Sequence, residues 1–304
     1  MNAAPSSTWF SASPEWGWYI ALYFFLGGLA GGSYFLAATL DWIGRREDRP
    51  LARLGYYIAF PCVATSGLLL TLDLGRPLRF WHMMIESNTY RPMFKPWSPM
   101  SVGVWALLIF GGFSFLSFLD ALGEDVDRPA LRRFHVSLPL RRAISAVGAL
   151  FGLYIAGYTG VLLAVTNRPI WSDTPLLGML FVFSAASTSA ALMILLAHRS
   201  GWTLPGVADI HRMEDWTIAM EFIALVAVIV SLGPVLRAWL NAWGVLIVVV
   251  VVLGMIAPLV LRGRVFAGLR RDPSPATSPT TAAVCVLVAG LLLRVVIVFS
   301  SGAV

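Results

Sequence analysis

Charged residues are scarce in this chain. Asp, Glu, Lys and Arg make up 12% of its 304 residues, whereas hydrophobic residues make up 58%. A soluble domain of this size would leave too much apolar surface in contact with water. The composition therefore excludes a soluble globular protein and indicates a protein embedded in a lipid bilayer.

Cysteine and histidine are also rare, and their positions fit no common metal site. Cys62 and Cys285 lie in separate apolar runs, without any metal-ligand spacing. The four histidines fall in predicted loops or at a helix end: His82, His135, His198 and His211. A haem held by two histidines needs both of them inside helices, facing each other. We therefore expect no b-type haem and no metal in this chain.

Eight long apolar runs fill the sequence. Each approaches or exceeds the about 20 residues that an α-helix needs to cross a bilayer core. They cover residues 16–40, 54–72, 100–119, 143–167, 174–197, 216–236, 239–261 and 280–301. No segment between them is long enough to bury a core of its own. We predict an all-α, polytopic membrane protein with eight transmembrane helices, forming a single integral membrane domain over residues 1–304.

Basic residues are distributed unequally between the two sides of the predicted membrane. The loops that share one side carry 15 Lys and Arg, whereas the segments on the other side carry 6. The basic loops are 41–53, 120–142, 198–215 and 262–280. Because short basic loops stay in the cytoplasm, both termini are predicted to lie outside. These loops near anionic lipid account for the sequence pI of about 9.7, so no nucleic-acid partner is expected.

Aromatic and polar residues gather at the predicted outer face. Tyr19 and Tyr23 lie on one side of the first helix, and Tyr158 lies at a similar depth in the fourth. Titratable residues follow in the external segment: Asp73, Arg76 and His82. A quinone headgroup needs such a place, where it enters from lipid, hydrogen-bonds at both oxygens and exchanges protons near water. Ordinary aromatic-belt and solvated interfacial residues are the alternative interpretation.

Two charged residues lie inside predicted helices. Glu221 is one to two turns from the cytoplasmic end of the sixth helix, and Arg294 is midway along the eighth. Charges inside a membrane are costly, so they usually pair or line a polar cavity. These two residues fit a structural salt bridge or a proton pathway from the cytoplasm, and the sequence leaves both open.

Five sequence blocks together resemble the NrfD/PsrC family, the membrane subunits of the polysulfide-reductase type. The blocks are Tyr23-Phe-Phe-Leu-Gly-Gly-Leu-Ala-Gly-Gly32, Leu72-Asp-Leu-Gly-Arg-Pro-Leu-Arg-Phe-Trp81, Ser98-Pro-Met-Ser-Val-Gly-Val-Trp105, Tyr158-Thr-Gly-Val-Leu-Leu163 and Leu293-Arg-Val-Val-Ile297. The resemblance spans almost the whole chain. It implies a haem-free, quinone-reactive anchor with eight helices in two four-helix bundles, in the cytoplasmic (inner) membrane of a bacterium.

The resemblance also implies partners. Such an anchor exchanges electrons with quinone or menaquinone and docks a four-cluster ferredoxin-like iron–sulfur subunit, which contacts a molybdopterin oxidoreductase subunit. We expect the iron–sulfur partner to sit over the external segments. The expected contact residues are Arg79, Trp81, Trp97, Arg168 and Trp171. The chain alone would have no turnover, because it carries no electron acceptor of its own.

The resemblance implies site residues as well. Family pockets are lined by the first helix and by a tyrosine of the fourth, which corresponds to Tyr158 here. Some family members carry Asn and His on the first helix where this chain has Tyr19 and Tyr23, so this chain departs from them there.

Two other functions are compatible with the sequence. A small-solute or proton transporter would need broken helices around a polar site at the membrane midplane. Pro61 and Pro258 are the candidate breaks, although the polar residues gather at the periphery. The departures on the first helix also allow a purely structural anchor with a degenerate quinone site.

Overall fold

Eight long helices make up most of the described chain. The computed structural model describes residues 16–124, 134–202, 204–261 and 279–302. The long helices are α1 (Trp18–Ile43), α2 (Arg49–Asp73), α3 (Pro99–Glu124), α4 (Leu138–Ala164), α5 (Leu177–Arg199), α6 (Pro205–Ser231), α7 (Ala242–Leu261) and α8 (Pro279–Ser300). Seven of them are long and apolar enough to cross a membrane, and α6 qualifies together with the bent 3-10 helix that follows it. The protein is thus polytopic in the membrane, and the predicted all-α class is confirmed.

The sixth span is where the structure departs most from the predicted boundaries. α6 begins at Pro205 and takes in His211, which the sequence placed in a loop. It ends at Ser231, and the chain then turns by 107° into a 3-10 helix. The turn occurs where Gly233 adopts a φ of 52° directly before a proline, a pair of residues that cannot continue a helix. The predicted span 216–236 is therefore wrong at both ends.

The two candidate helix breaks behave differently. α2 runs through Pro61 without interruption. α7 contains one π-helical turn, Val252–Ile256, just before Pro258. Proline has no N–H to donate to the preceding turn, which accounts for a local widening there. The break expected at Pro61 for a transporter is therefore absent.

The helices form two four-helix bundles, α1–α4 and α5–α8. Within the first bundle, α1 packs against α2 and α4, and α3 packs against both of these. Within the second, α5 and α7 both pack against α8, and α6 packs against α5. The bundles meet where α1 contacts α5 and α8 and where α4 contacts α5. This arrangement agrees with the predicted pair of bundles.

Glycines allow α1 to lie between the two bundles. A Cβ at Gly31 would overlap the carbonyl oxygen of Gly152 on α4, and a Cβ at Gly32 would lie 2.6 Å from the carbonyl oxygen of Ala185 on α5. Neither separation is compatible with a real side chain, so both helices can approach α1 only because these positions lack one. A Cβ at Gly27, by contrast, would meet nothing closer than 3.6 Å.

Contacts between helix ends show which ends share a face. The ring of Trp16, at the start of α1, stacks on Trp171 after α4 with centroids 5.0 Å apart. Trp171 Nε1 in turn donates to the carbonyl oxygen of Ile297 near the end of α8, at 2.7 Å. On the opposite face, the Gly206 amide at the start of α6 donates to Asp48 at 2.6 Å. We call the face of Trp16 the outer face and the face of Asp48 the inner face, following the predicted orientation.

The described ends of the chain both lie at the outer face, as an even number of spans requires. Residues 1–15 and 303–304 lie outside the described residues, and so does most of the predicted loop 262–280. The location of the termini themselves in the cell therefore stays a prediction.

Candidate functional site

A cavity of about 130 Å³ lies at the outer face of the first bundle. It is enclosed by α1, α2, α3 and α4 and by the 3-10 helix Pro77–Met83. Its polar lining consists of Tyr23, Asp73 and Tyr158, and apolar side chains complete it. We call it the tyrosine cavity.

Tyr158 is fixed in the cavity wall by α3. Its side chain is 6% exposed, and its hydroxyl donates to the carbonyl oxygen of Pro99 at 2.8 Å. The ring lies directly against Gly103, where a Cβ would overlap the phenolic carbon. Because its proton is committed to Pro99, the hydroxyl oxygen remains available to accept a hydrogen bond. The glycine in the Ser98–Trp105 block thus makes room for the tyrosine of α4.

The two tyrosines of α1 have different environments. Tyr23 is 3% exposed and lines the cavity, and its hydroxyl makes no hydrogen bond with any described residue. Tyr19 is 49% exposed and does not line the cavity. Of the two tyrosines predicted for the quinone site, only Tyr23 therefore lines this cavity.

Of the three external residues predicted for the site, Asp73 alone reaches the cavity. It is the last residue of α2 and lines the cavity mouth. Arg76 is exposed and makes no contact with the cavity. His82 lies on the 3-10 helix, where its Nδ1 is 3.0 Å from the Ser87 hydroxyl. The same 3-10 helix supplies Met83 to the cavity lining instead.

An apolar groove of about 410 Å³ lies next to the tyrosine cavity. Five residues line both spaces: Leu70, Leu74, Met83, Val104 and Leu107. Three glycines, Gly67, Gly111 and Gly112, open the groove, since a Cβ on any of them would meet nothing within 4 Å. Leu108, also in the groove, is 53% exposed on the surface of a membrane-spanning helix. The groove thus lies between the exposed surface of these helices and the cavity, and no pattern in the sequence signalled it beyond these glycines.

Glu221 and Arg294 lie in a separate buried cluster inside the second bundle. They are 5% and 1% exposed. Ser187 donates to Glu221 Oε2 at 2.6 Å, and Arg294 donates to the Ser184 hydroxyl and, at 2.9 Å, to the Gly290 carbonyl oxygen. Among the described residues no ion pair within 4.0 Å joins Glu221 to Arg294, and the two serines of α5 lie between them. The two charges thus share one polar cluster without direct contact.

The outer segment between α2 and α3 presents large apolar side chains to the surface. Leu78, Tyr90 and Trp97 are 90%, 75% and 78% exposed. Backbone hydrogen bonds give this segment a fixed shape, since the Met93 amide donates to the Met84 carbonyl oxygen at 2.7 Å and closes a hairpin-like turn. Among the predicted partner residues, Arg79 and Trp97 lie on this surface and Trp81 is half-buried.

The prediction that Trp171 belongs to a partner interface is wrong. Its side chain is 0% exposed, because it is covered by Trp16 and hydrogen-bonded to the end of α8. The guanidinium of Arg168 lies 5.3 Å from the centre of the Trp171 ring and is half-buried. This tryptophan joins helix ends and cannot touch a partner.

An ion-pair network lies at the inner face of the first bundle. Arg49 pairs with Asp41, with Asp120 at 3.1 Å and with Glu124 at 2.7 Å. Asp120, Glu124 and His135 place possible metal-ligand atoms within 4.8 Å of one another. Arg49 contacts both of these carboxylates and Arg141 contacts Glu124, so the carboxylate oxygens are already engaged in ion pairs.

Comparisons with known proteins agree with the fold. The profile of the family described as "Polysulphide reductase, NrfD" matches residues 10–304. The sequence is 28% identical to the C chain of polysulfide reductase from Wolinella succinogenes over 228 residues, which are 71% of this chain and 70% of that protein. It is 26% identical to protein NrfD of Escherichia coli over 234 residues, 72% of this chain and 71% of that protein. It is 24% identical to the C subunit of selenate reductase from Mesobacillus selenatarsenatis over 204 residues, 60% of this chain and 47% of that protein. Since the profile covers nearly the whole chain and the helices cross a membrane as expected, this protein belongs to the NrfD family of reductase membrane subunits.

Proposed function

We propose that this chain is the haem-free membrane anchor of a multi-subunit oxidoreductase and that it exchanges electrons with the quinone pool. The electrons pass to or from an iron–sulfur subunit on the outer face, which contacts a molybdopterin subunit. Two of the similar proteins are named as components of polysulfide and selenate reductases, which supports a place in such a complex. The observation that carries the proposal is the tyrosine cavity with its groove open to lipid.

The cavity supplies what a quinone headgroup requires. A quinone is apolar and dissolves in the bilayer, so it needs an entrance on the lipid-facing surface, which the groove provides. The Tyr23 hydroxyl has no competing partner among the described residues and can donate to a quinone oxygen. The Tyr158 oxygen can accept from a quinol hydroxyl while its own proton stays in the hydrogen bond to the Pro99 carbonyl oxygen. A quinol headgroup can thus form one hydrogen bond with each tyrosine.

Proton exchange falls to Asp73 in this proposal. Quinol oxidation releases two electrons and two protons, and quinone reduction takes up the same number. Asp73 lines the cavity and also lies at the end of α2, next to the exposed outer segment. A carboxylate in that position can pass protons between the bound headgroup and water.

The partner docks, in this proposal, on the outer segment that borders the cavity. Met83 lines the cavity from the same 3-10 helix that carries the exposed Leu78. An exposed apolar patch rimmed by basic residues such as Arg79 is typical of a protein interface. An iron–sulfur cluster held there would be separated from the quinone by little more than this helix.

Tyrosine variants test the proposal directly. We expect Tyr23→Phe combined with Tyr158→Phe to weaken binding of a short-chain menaquinol analogue about tenfold or more, since each lost hydrogen bond contributes about 1 kcal/mol. Binding is measured on the protein in lipid nanodiscs by quenching of tryptophan fluorescence, because Trp16 lines the cavity.

The matched controls are Tyr19→Phe and Tyr154→Phe, which remove the same hydroxyl from the same two helices at positions 49% and 41% exposed. These controls should bind like the unsubstituted protein. Equal affinity in the Tyr23/Tyr158 variant and the controls would refute the assigned site. Failure of the unsubstituted protein to bind any quinone would favour the structural anchor instead.

A further inference from the structure

A second large cavity, of about 640 Å³, lies at the inner face of the first bundle. It is formed by the end of α1, the start of α2, the end of α3 and the start of α4. Five arginines line it: Arg45, Arg46, Arg49, Arg141 and Arg142. The acidic lining consists of Asp41 and Glu124. We call it the arginine cavity, and it is on the opposite face from the tyrosine cavity.

The arginines divide into two groups. Arg49 pairs with Asp41 and Glu124, and Arg141 pairs with Glu124 at 2.5 Å. The side chains of the other three arginines, Arg45, Arg46 and Arg142, have no carboxylate partner among the described residues. Arg49 and Arg141 thus share three carboxylates, those of Asp41, Asp120 and Glu124, and the three remaining arginines leave the cavity with an unbalanced positive charge. Guanidinium groups bind carboxylate or phosphate through two parallel hydrogen bonds, and three of them match the higher charge and larger number of oxygens of a phosphate group.

One side of the arginine cavity is apolar and exposed at the ends of two membrane-spanning helices, α1 and α4. Trp42 and Leu138 line it and are 51% and 49% exposed. The adjacent Ile43 is 82% exposed. The indole N–H of Trp42 donates to the Ser145 hydroxyl at 3.0 Å, which fixes the ring against α4, and tryptophan is a residue enriched at membrane–water interfaces. A soluble inorganic anion would make no contact with this apolar side of the cavity, whereas the first methylenes of a lipid's acyl chains would pack against it.

We propose that the arginine cavity binds the phosphate of an anionic phospholipid. Arg45, Arg46 and Arg142 contact the phosphate oxygens, and Trp42 and Leu138 contact the acyl chains. The inner leaflet supplies such lipids, and basic pockets between membrane helices are suited to their headgroups. A lipid in this place joins the segment after α1 to the start of α4, so it stabilises the first bundle.

Lipid retention and lipid-dependent stability test the proposal. The variant is Arg45→Gln with Arg142→Gln, and the matched control is Arg199→Gln with Arg212→Gln, which removes the same charge from the inner face outside the cavity. Phospholipids that copurify in mild detergent are quantified by mass spectrometry. The midpoint temperature of unfolding is then measured with added phosphatidylglycerol, with phosphatidylcholine, or with sodium phosphate alone.

We expect the unsubstituted protein and the control to retain anionic phospholipid and to gain stability from phosphatidylglycerol only. The cavity variant should lose both properties while still binding quinone, which shows that it is folded. Equal losses in the control would mean diffuse surface attraction and would overturn the proposal. Equal stabilisation by sodium phosphate would also overturn it, because the ligand would then be a soluble anion.

Discussion

The ring of Tyr158 on α4 lies directly against the backbone of Gly103 on α3, in space that any larger residue at position 103 would fill. The same ring donates through its hydroxyl to Pro99, at the start of α3. Two contacts from one helix thus set the position of the tyrosine that lines the outer cavity. The contact explains why a glycine is needed in the Ser98–Trp105 block.

Gly103→Ala should therefore displace Tyr158 and impair quinone binding without removing a polar group. A Cβ at this position would overlap the phenol, so the ring must leave its place in the cavity wall. Affinity for a short-chain menaquinol analogue should fall at least as far as in Tyr158→Phe. Leu116→Ala on the same helix is the control, because this side chain is 47% exposed and lines neither the cavity nor the groove. An unaltered affinity in Gly103→Ala would show that the Tyr158 position is not required.

Side chains that fill the groove should impair the binding of long-tailed quinones more than that of tail-less ones. Gly67→Leu with Gly111→Leu places two side chains into the space that connects the lipid with the cavity. We expect binding of a quinone with a long isoprenoid tail to become slower and weaker, whereas a tail-less analogue is less affected. Tryptophan quenching in nanodiscs measures both ligands. Equal effects on the two quinones would place the entrance elsewhere.

Adding a single methyl group at different glycines of α1 should destabilise the fold only where the glycine packs closely against a neighbouring helix. Gly31→Ala introduces a Cβ that overlaps the backbone of Gly152, and we expect it to destabilise the fold by about 1 to 3 kcal/mol. Gly27→Ala should be nearly neutral, since its Cβ meets only ordinary van der Waals contacts. The midpoint temperature of unfolding in detergent compares the two variants. Similar midpoints would mean that α1 and α4 are not packed as closely as described.

The stability of the folded protein should depend on a hydrogen-bond acceptor at position 221, in the buried cluster of the second bundle. Glu221→Gln keeps an oxygen for the Ser187 hydroxyl, so it should unfold close to the unsubstituted protein. Glu221→Leu leaves the buried Ser187 hydroxyl without that acceptor and should cost about 1 to 3 kcal/mol.

The glutamine variant also separates the two interpretations of Glu221. We expect quinone-linked proton uptake of the complex in liposomes to be unchanged in Glu221→Gln if the cluster is structural, which is the interpretation that we favour. Loss of proton uptake in a stably folded Glu221→Gln protein would identify Glu221 as part of a proton pathway.

The outer segment should determine assembly with the partner. Leu78→Ala with Trp97→Ala removes two side chains that are 90% and 78% exposed, and we expect less iron to copurify with the tagged protein from its native membrane. Leu240→Ala is the control, because this residue is 81% exposed next to the 3-10 helix of the second bundle. Iron content that stays proportional to the tagged protein in both variants would place the partner on another surface.

The sequence was least informative about which side of each helix is buried. Tyr19 and Tyr23 are separated by one helical turn and were expected at one site, yet only Tyr23 is buried. Membrane helices are apolar on nearly all sides, so the pattern does not show which side meets a neighbouring helix and which meets lipid. The exposure of Trp171 was also mispredicted, because a position in an external loop does not reveal that the ring is covered by Trp16.

The sequence by itself determined the properties that depend on local composition. Long apolar runs require helices in a bilayer, because the backbone must satisfy its hydrogen bonds internally there. Blocks such as Ser98–Trp105 were sufficient for the family. Asp73 and Tyr158 were predicted from the sequence as site residues, and the structure brings both to one cavity. Only the tertiary structure decided how the helices combine. The groove to lipid and the arginine cavity are each built from side chains far apart in the sequence, and their volumes depend on how closely glycines allow the helices to pack.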